Sequence, residues 1–329
     1  MAAVQPDAFA QLHKAGAPTI RSYEDAATAI GRLDGTASLA PKGLRELLVL
    51  RCIVTPSGAS RRGMLALLHP DGDMDSPLRS YAAALRTGAA SARGGVVPSL
   101  EVLRDLLGSP SPGGAADTIA FLSPSTPVSE AAIIELMRDT PPRPPPLLKA
   151  AMTAGALLAS SGGSRGSLAS LATSLVLCVG GATTDAWLTL PLAGDGVLAQ
   201  GPSAPDWNEW LGRAFRALAG EARAAERGLA DARRELDIDQ ARVRDAFGRA
   251  AYSALDVLEL LANQLVITVP GAARTLGQTP PTAGAAVARL AELGIASEIT
   301  GRSRSRAFVY AGLVDALAPA LAATSTAVA

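Results

Sequence analysis

Residues Ala254 to Tyr310 read ALDVLELLANQLVITVPGAARTLGQTPPTAGAAVARLAELGIASEITGRSRSRAFVY, and this stretch decides the fold of the C-terminal part of the chain. Leu255, Leu258, Leu261 and Ala262 recur at helical spacing. A second helix is expected after Thr268. Ala272, Ala273 and Leu276 give it an inner face, and Gly277 sits where a helix C-terminus takes a left-handed residue. Gln278-Thr279-Pro280-Pro281 is a short turn. Thr279 is placed to cap the next helix, and Pro280 suits a first helical position because that N–H lacks a partner in any case. Val287, Leu290 and Leu293 face inward on this third helix, which stops at Gly294.

Two helices joined by a turn of a few residues match the helix-turn-helix plan. After Gly294 the period changes to two, with Ile295, Ser297 and Ile299 alternating, and Ala307-Phe308-Val309-Tyr310 is rich in strand formers. Between them Gly301-Arg302-Ser303-Arg304-Ser305-Arg306 reads as a hairpin, or wing, with a charged tip. Residues 251–318 are therefore expected to form a winged helix-turn-helix domain.

Arg302, Arg304 and Arg306 have no acid among them and suit phosphates. From Ala262 to Tyr310 five arginines (those three, Arg274 and Arg289) stand against Glu292 and Glu298, whereas the whole chain balances thirty Lys+Arg with thirty Asp+Glu. Binding to nucleic acid would thus be local rather than steered by a global field. The outward residues of the third helix are read as Thr279, Thr282, Ala283, Ala286 and Arg289. Of these only Arg289 can grip a guanine with two hydrogen bonds, while the alanines and threonines at best touch a thymine methyl. Double-stranded DNA is the expected partner, with modest sequence specificity. Docking of a protein by the same module is the alternative.

At 329 residues the chain has room for two domains or more. Residues 1–20 are expected to be flexible, 21–200 a helical body, and 205–250 a long helical connector. In the body, Ser22 reads as a cap with Asp25 three residues on, and Ala26, Ala27, Ile30 and Leu33 form an apolar stripe. The prolines from Pro141 to Pro146 suggest a stiff extended connector. Leu147 to Leu158 and Ser167 to Val179 read as apolar helices. Trp207, Trp210, Leu211, Ala214, Phe215 and Leu218 share one face of a helix opened by Asp206, and the mixed charges from Glu221 to Glu235 read as its solvated continuation.

Ser167 to Thr184 carries no charge, but Ser, Thr and Gly180-Gly181 dilute it, so a buried helix is expected and not a membrane span. The N-terminus has no apolar signal core. Cys52 and Cys178 lie far apart in apolar runs and read as small buried thiols in a reducing, cytoplasmic compartment.

Schemes for catalysis find little material. Two histidines, His13 and His69, and two separated cysteines cannot build a zinc cage, and no GxSxG elbow is present. The pairs Asp71 with Asp73 and Asp237 with Asp239 read as surface charge. Gly162-Gly163-Ser164-Arg165-Gly166 precedes a helix and could hold an anion on its backbone, but it lacks the lysine of a phosphate-binding loop. Gly162, Gly163 and Arg165 are the candidate nucleotide contacts, set against a plain loop. No catalytic residue, metal or cofactor is assigned.

The order of parts resembles the Fic family, the adenylyl-transfer fold, in its long form with an appended winged helix. Ala29-Ile-Gly-Arg-Leu-Asp-Gly35 is similar to the family's N-terminal helix with its GxLDG-type core. The runs Val269 to Gly277 and Ile299 to Arg306 are similar to the appended domain, and Pro205-Asp-Trp-Asn-Glu-Trp-Leu211 to a late helix of the family. The resemblance implies a mainly α fold, a helical Fic-like body plus a winged helix carrying a small β-hairpin.

It also implies where an active loop of the form HPFx[DE]GNGRxxR should fall. There the chain reads Leu158-Ala-Ser-Ser-Gly-Gly-Ser-Arg-Gly-Ser-Leu168, with no histidine, no acid and one arginine. Without a base near the target hydroxyl, proton abstraction is not available, and without a carboxylate Mg²⁺ lacks its protein ligand. The family's inhibitory segment is replaced by Gly58-Ala-Ser-Arg-Arg-Gly63, with Arg62 in place of its glutamate. His69-Pro70-Asp71-Gly72 imitates the loop but stands too early, and no GNGR follows. The expectation is a non-enzymatic DNA-binding regulator that self-associates as a homo-oligomer. A surviving Fic-type nucleotide transferase is the alternative.

Overall fold

The computed structural model describes residues 16–57, 65, 68, 145–161, 166–192, 195–202, 207–302 and 304–317. The chain is mainly helical with one small antiparallel sheet. Its elements are α1 (Ala17–Ser38), α2 (Lys42–Ser57), α3 (Pro146–Ser161), α4 (Gly166–Val179), α5 (Gly196–Gln200) and α6 (Trp207–Phe247). A 3₁₀ turn (Gly248–Ala251) then leads to α7 (Tyr252–Gln264), β1 (Val266–Thr268), α8 (Val269–Leu276), α9 (Pro280–Glu292), β2 (Ala296–Glu298), β3 (Ala307–Tyr310) and α10 (Ala311–Leu317). Two compact units emerge. Of the described residues, the N-terminal unit takes α1, 55–57 and those within 75–224, and so the first part of α6; the C-terminal unit takes 39–54, 65, 68 and those from Ala225 on.

In the N-terminal unit α3 and α4 form the central helical pair. Ala26, Ala29, Ile30, Leu33 and Ala37 bury one face of α1 at intervals of three and four. Ala27, expected on that stripe, is exposed. Ser22 is not a cap: α1 begins at Ala17, and the Ser22 hydroxyl donates to the Pro18 carbonyl within the helix, at 2.9 Å. An Ala-Pro pair starts the helix a turn earlier, because proline tolerates the first turn.

Asp34, from the Ala29–Gly35 run, accepts the N–H groups of Thr184, Asp185 and Ala186 at 2.8–2.9 Å and so fixes the chain leaving α4. That chain then lies along α4, where Ser170 and Ser174 donate to the Leu190 and Leu188 carbonyls. The start of α6 buries Trp210, Leu211, Ala214, Phe215 and Leu218, as the spacing predicts. Cys52 is buried and Cys178 half-buried, its sulfur 3.2 Å from the Thr183 hydroxyl. Among the described residues no helix is long and apolar enough to cross a membrane.

In the C-terminal unit the sheet runs β1-β3-β2, both pairs antiparallel. Val266 faces Val309 and Thr268 faces Ala307; on the other side Ala296 faces Tyr310 and Glu298 faces Phe308. All four residues of the central strand are buried. The strand Val266–Thr268 goes unnoticed in the sequence, since three residues carry no periodicity. α7, α8 and α9 pack on one another, and α9 also lies against β2.

Asp239 corrects the expectation of a solvated carboxylate. It is 2% exposed, accepts the Tyr310 hydroxyl at 2.8 Å and pairs with Arg242 at 2.6 Å. Tyr310 itself is fully buried, and burial first, then the Asp239 carboxylate, hold its phenol far above the ordinary range. A buried polar group placed this way ties β3 to α6, and its hydrogen bonds offset part of the cost of burying it. Asp237 does sit on the surface, 3.6 Å from Arg233.

Candidate nucleic-acid interface

α9 and the β2–β3 hairpin are the two elements expected to meet a duplex. α9 begins as its sequence dictates. Thr279 is extended (φ −73°, ψ 148°), its hydroxyl accepts the Thr282 N–H, and Pro280 and Pro281 fill the next two positions. Gly277, ending α8, is left-handed at φ 63° and donates to the carbonyls of the last turn, the conformation glycine adopts without steric cost.

The outward face of α9 differs from the expected one. Ala283 and Ala286 are fully buried. With Val287 and Leu290 they make an inner stripe at intervals of one, three and four, and their small side chains let α9 approach α7 and α8 closely. The exposed positions of α9 are Pro280, Pro281, Thr282, Ala285, Ala288, Ala291 and Glu292. Thr279 is exposed as well, with its hydroxyl 2.8 Å from that of Thr282.

Arg289 is also placed differently. Its guanidinium donates to the Ala250 carbonyl at 2.9 Å and lies over the Phe247 ring, 5.6 Å from its centroid. It is half-buried and joins α9 to the end of α6. Arg242 ties the same elements, donating to the Leu293 carbonyl at 2.7 Å. Neither partner of Arg289 could be found from spacing within α9, because both lie about forty positions earlier.

The hairpin keeps its arginines outside. Arg302, Arg304 and Arg306 are exposed. Ile299 N–H donates to the Ala307 carbonyl and Ala307 N–H to the Thr300 hydroxyl, which closes the neck. The Glu298 carboxylate accepts the Thr300 N–H (2.7 Å), the Thr300 hydroxyl and the Gly301 N–H (3.1 Å). These donors, the Thr300 hydroxyl foremost and Arg306 in the background, hold its pKa below the usual glutamate range. Arg306 stands 5.5 Å from the Phe308 ring centroid, so its side chain is propped from below. Arg274, exposed in the last turn of α8, is a further cation that the helix-turn-helix pattern alone did not place on the surface.

Gly162, Gly163 and Arg165 lie outside the described residues, as do His13, His69, the Asp71 and Asp73 pair and the proline run up to Pro144. Among the described residues no group of three His, Cys, Asp or Glu side chains is placed to hold a metal ion. No protein-family model matches the chain, and no curated protein matches it.

Proposed function

We propose that the chain is a DNA-binding protein whose C-terminal unit is a winged helix holding double-stranded DNA, and that it serves as a cytoplasmic transcriptional regulator. The observation that carries the reading is the hairpin. Three exposed arginines stand in alternate positions on a hairpin whose neck a carboxylate and two backbone amides hold in one conformation. A preformed cationic tip beside a helix-turn-helix pair meets phosphates with little ordering cost.

The N-terminal unit fits a degenerate Fic-like body that serves self-association. Its Ala29–Gly35 run lies on α1, where Asp34 does a structural task, and residues 158–168 contain neither base nor metal carboxylate. A second reading, docking of a protein on α9, is favoured by the methyl groups of Ala285 and Ala288 on its outer face.

The test is a fluorescence-anisotropy titration of a labelled duplex of roughly 30 bp, about three helical turns, with the full chain at low salt. Saturable binding that rising salt weakens is expected. No change in anisotropy would leave the protein-docking reading in its place. Incubation with labelled ATP and Mg²⁺ should transfer no label to protein, and transfer would restore the nucleotide-transferase alternative.

A further inference from the structure

We infer that this chain holds a duplex without reading base edges: the wing grips phosphates, and α9 contributes surface but no code. The inference rests on the duplex-binding reading above and narrows it to one class of target, B-form DNA of any sequence.

A recognition helix offers a duplex two kinds of group. The first is the backbone N–H of its N-terminus, which binds phosphate. Here Pro280 and Pro281 have no N–H. The next two, of Thr282 and Ala283, already donate to the Thr279 hydroxyl and carbonyl. The second is a side chain that hydrogen-bonds a base edge in the major groove. Arg289 is engaged by Ala250 and Phe247. The Thr282 hydroxyl shares a hydrogen bond with that of Thr279. Ala285, Ala288 and Ala291 present methyl groups, and Glu292 is the last residue of the helix.

The wing supplies what α9 lacks. Arg302, Arg304 and Arg306 are exposed on a hairpin whose neck is fixed. Guanidinium groups respond to the charge and spacing of phosphates, which carry no base identity. Arg289 is on this view a positioning residue. It sets α9 against the end of α6 and touches no DNA.

The experiment uses the full chain and two probes. One is a random-sequence duplex library of roughly 30 bp, about three helical turns, carried through rounds of gel-shift selection. The other is a single duplex of that length, compared with copies carrying 7-deazaguanine for guanine or deoxyuridine for thymidine. Selection should enrich no consensus. The substituted duplexes should bind within about twofold of the parent, where removal of one two-toothed base interaction would shift affinity roughly fivefold or more.

Joint Arg302→Gln and Arg304→Gln substitution should weaken every duplex alike. Arg289→Gln should lower the melting temperature and leave the relative affinities of the duplexes unchanged. An enriched consensus that 7-deazaguanine or deoxyuridine weakens by about tenfold, more than the threshold set for one such interaction, would overturn the inference while duplex binding stands. Failure of every duplex to bind at low salt overturns both. The modified-base comparison needs no variant, so it decides the matter even if a substitution impairs folding.

Discussion

Glu298 takes one hydroxyl and two backbone N–H groups at the point where β2 turns into the wing. Its carboxyl is held below the ordinary value of 4.5, chiefly by the Thr300 hydroxyl. A group whose folded pKa is depressed supports its fold at every pH above the unfolded value, and that support drains away as pH falls through the depressed one. The neck of the wing should therefore stay closed at neutral pH and loosen only below 4.5. The amide shifts of Thr300 and Gly301, followed by NMR against pH, should turn over at a midpoint below that value. A midpoint at or above it would mean that the carboxylate is not held by these donors.

At this scale the sequence was legible wherever the chemistry is local. Thr279 as a cap and Gly277 as a left-handed stop follow from their neighbours. Arg289 was not legible, because Phe247 and Ala250 reach it from another element. Nor was the burial of Ala283 and Ala286, since an alanine is at home on either face of a helix.

Among elements, the pairing of α2 with α7 is the relation that no local pattern announces. Leu44, Leu47 and Leu48 mark α2 as an amphipathic helix, and they are fully buried. The start of α2 touches residues more than two hundred positions away. The Lys42 N–H at the start of α2 donates to the Asn263 side chain. A Cβ placed on Gly43 would stand 2.3 Å from the Ala262 carbonyl oxygen, so the two backbones meet there with no room for a methyl. Arg51, also buried, donates to the Leu317 carbonyl at the end of α10, where a cation satisfies a helix C-terminus.

Gly43→Ala should cost about 1–3 kcal/mol, the usual range for overpacking a tight contact, read as a lower denaturant midpoint. An unchanged midpoint would show that α2 is not seated on α7. The strand β1 teaches the complementary lesson. Val266–Thr268 is too short for an alternation to register, and its pairing with β3 is set by register across the sheet.

For the molecule as a whole, charge is even, so any binding of a duplex must be local. Thirty basic and thirty acidic residues cancel, so a duplex is not drawn in by a general field. The mainly helical class and the small sheet could be anticipated from alanine- and leucine-rich stripes followed by a change to period two. The division into units was less accessible, because residues 39–54 belong with the C-terminal unit and α6 supplies residues to both. Sequence order alone assigns α2 to its neighbour α1. The proposed Fic-like ancestry of the N-terminal unit and the proposed duplex-holding role of the C-terminal one meet in one testable statement: the proposed function rests on cation density at a hairpin.

The salt dependence of binding measures that density most directly. The logarithm of the association constant for one duplex should fall linearly with the logarithm of salt concentration, with a slope of about 0.9 per phosphate neutralised. Replacing Arg302, Arg304 and Arg306 together by alanine should flatten that slope by roughly one unit for each phosphate the wing no longer neutralises. A triple variant that binds with the wild-type slope would place the binding surface elsewhere on the molecule and contradict the role given to the wing.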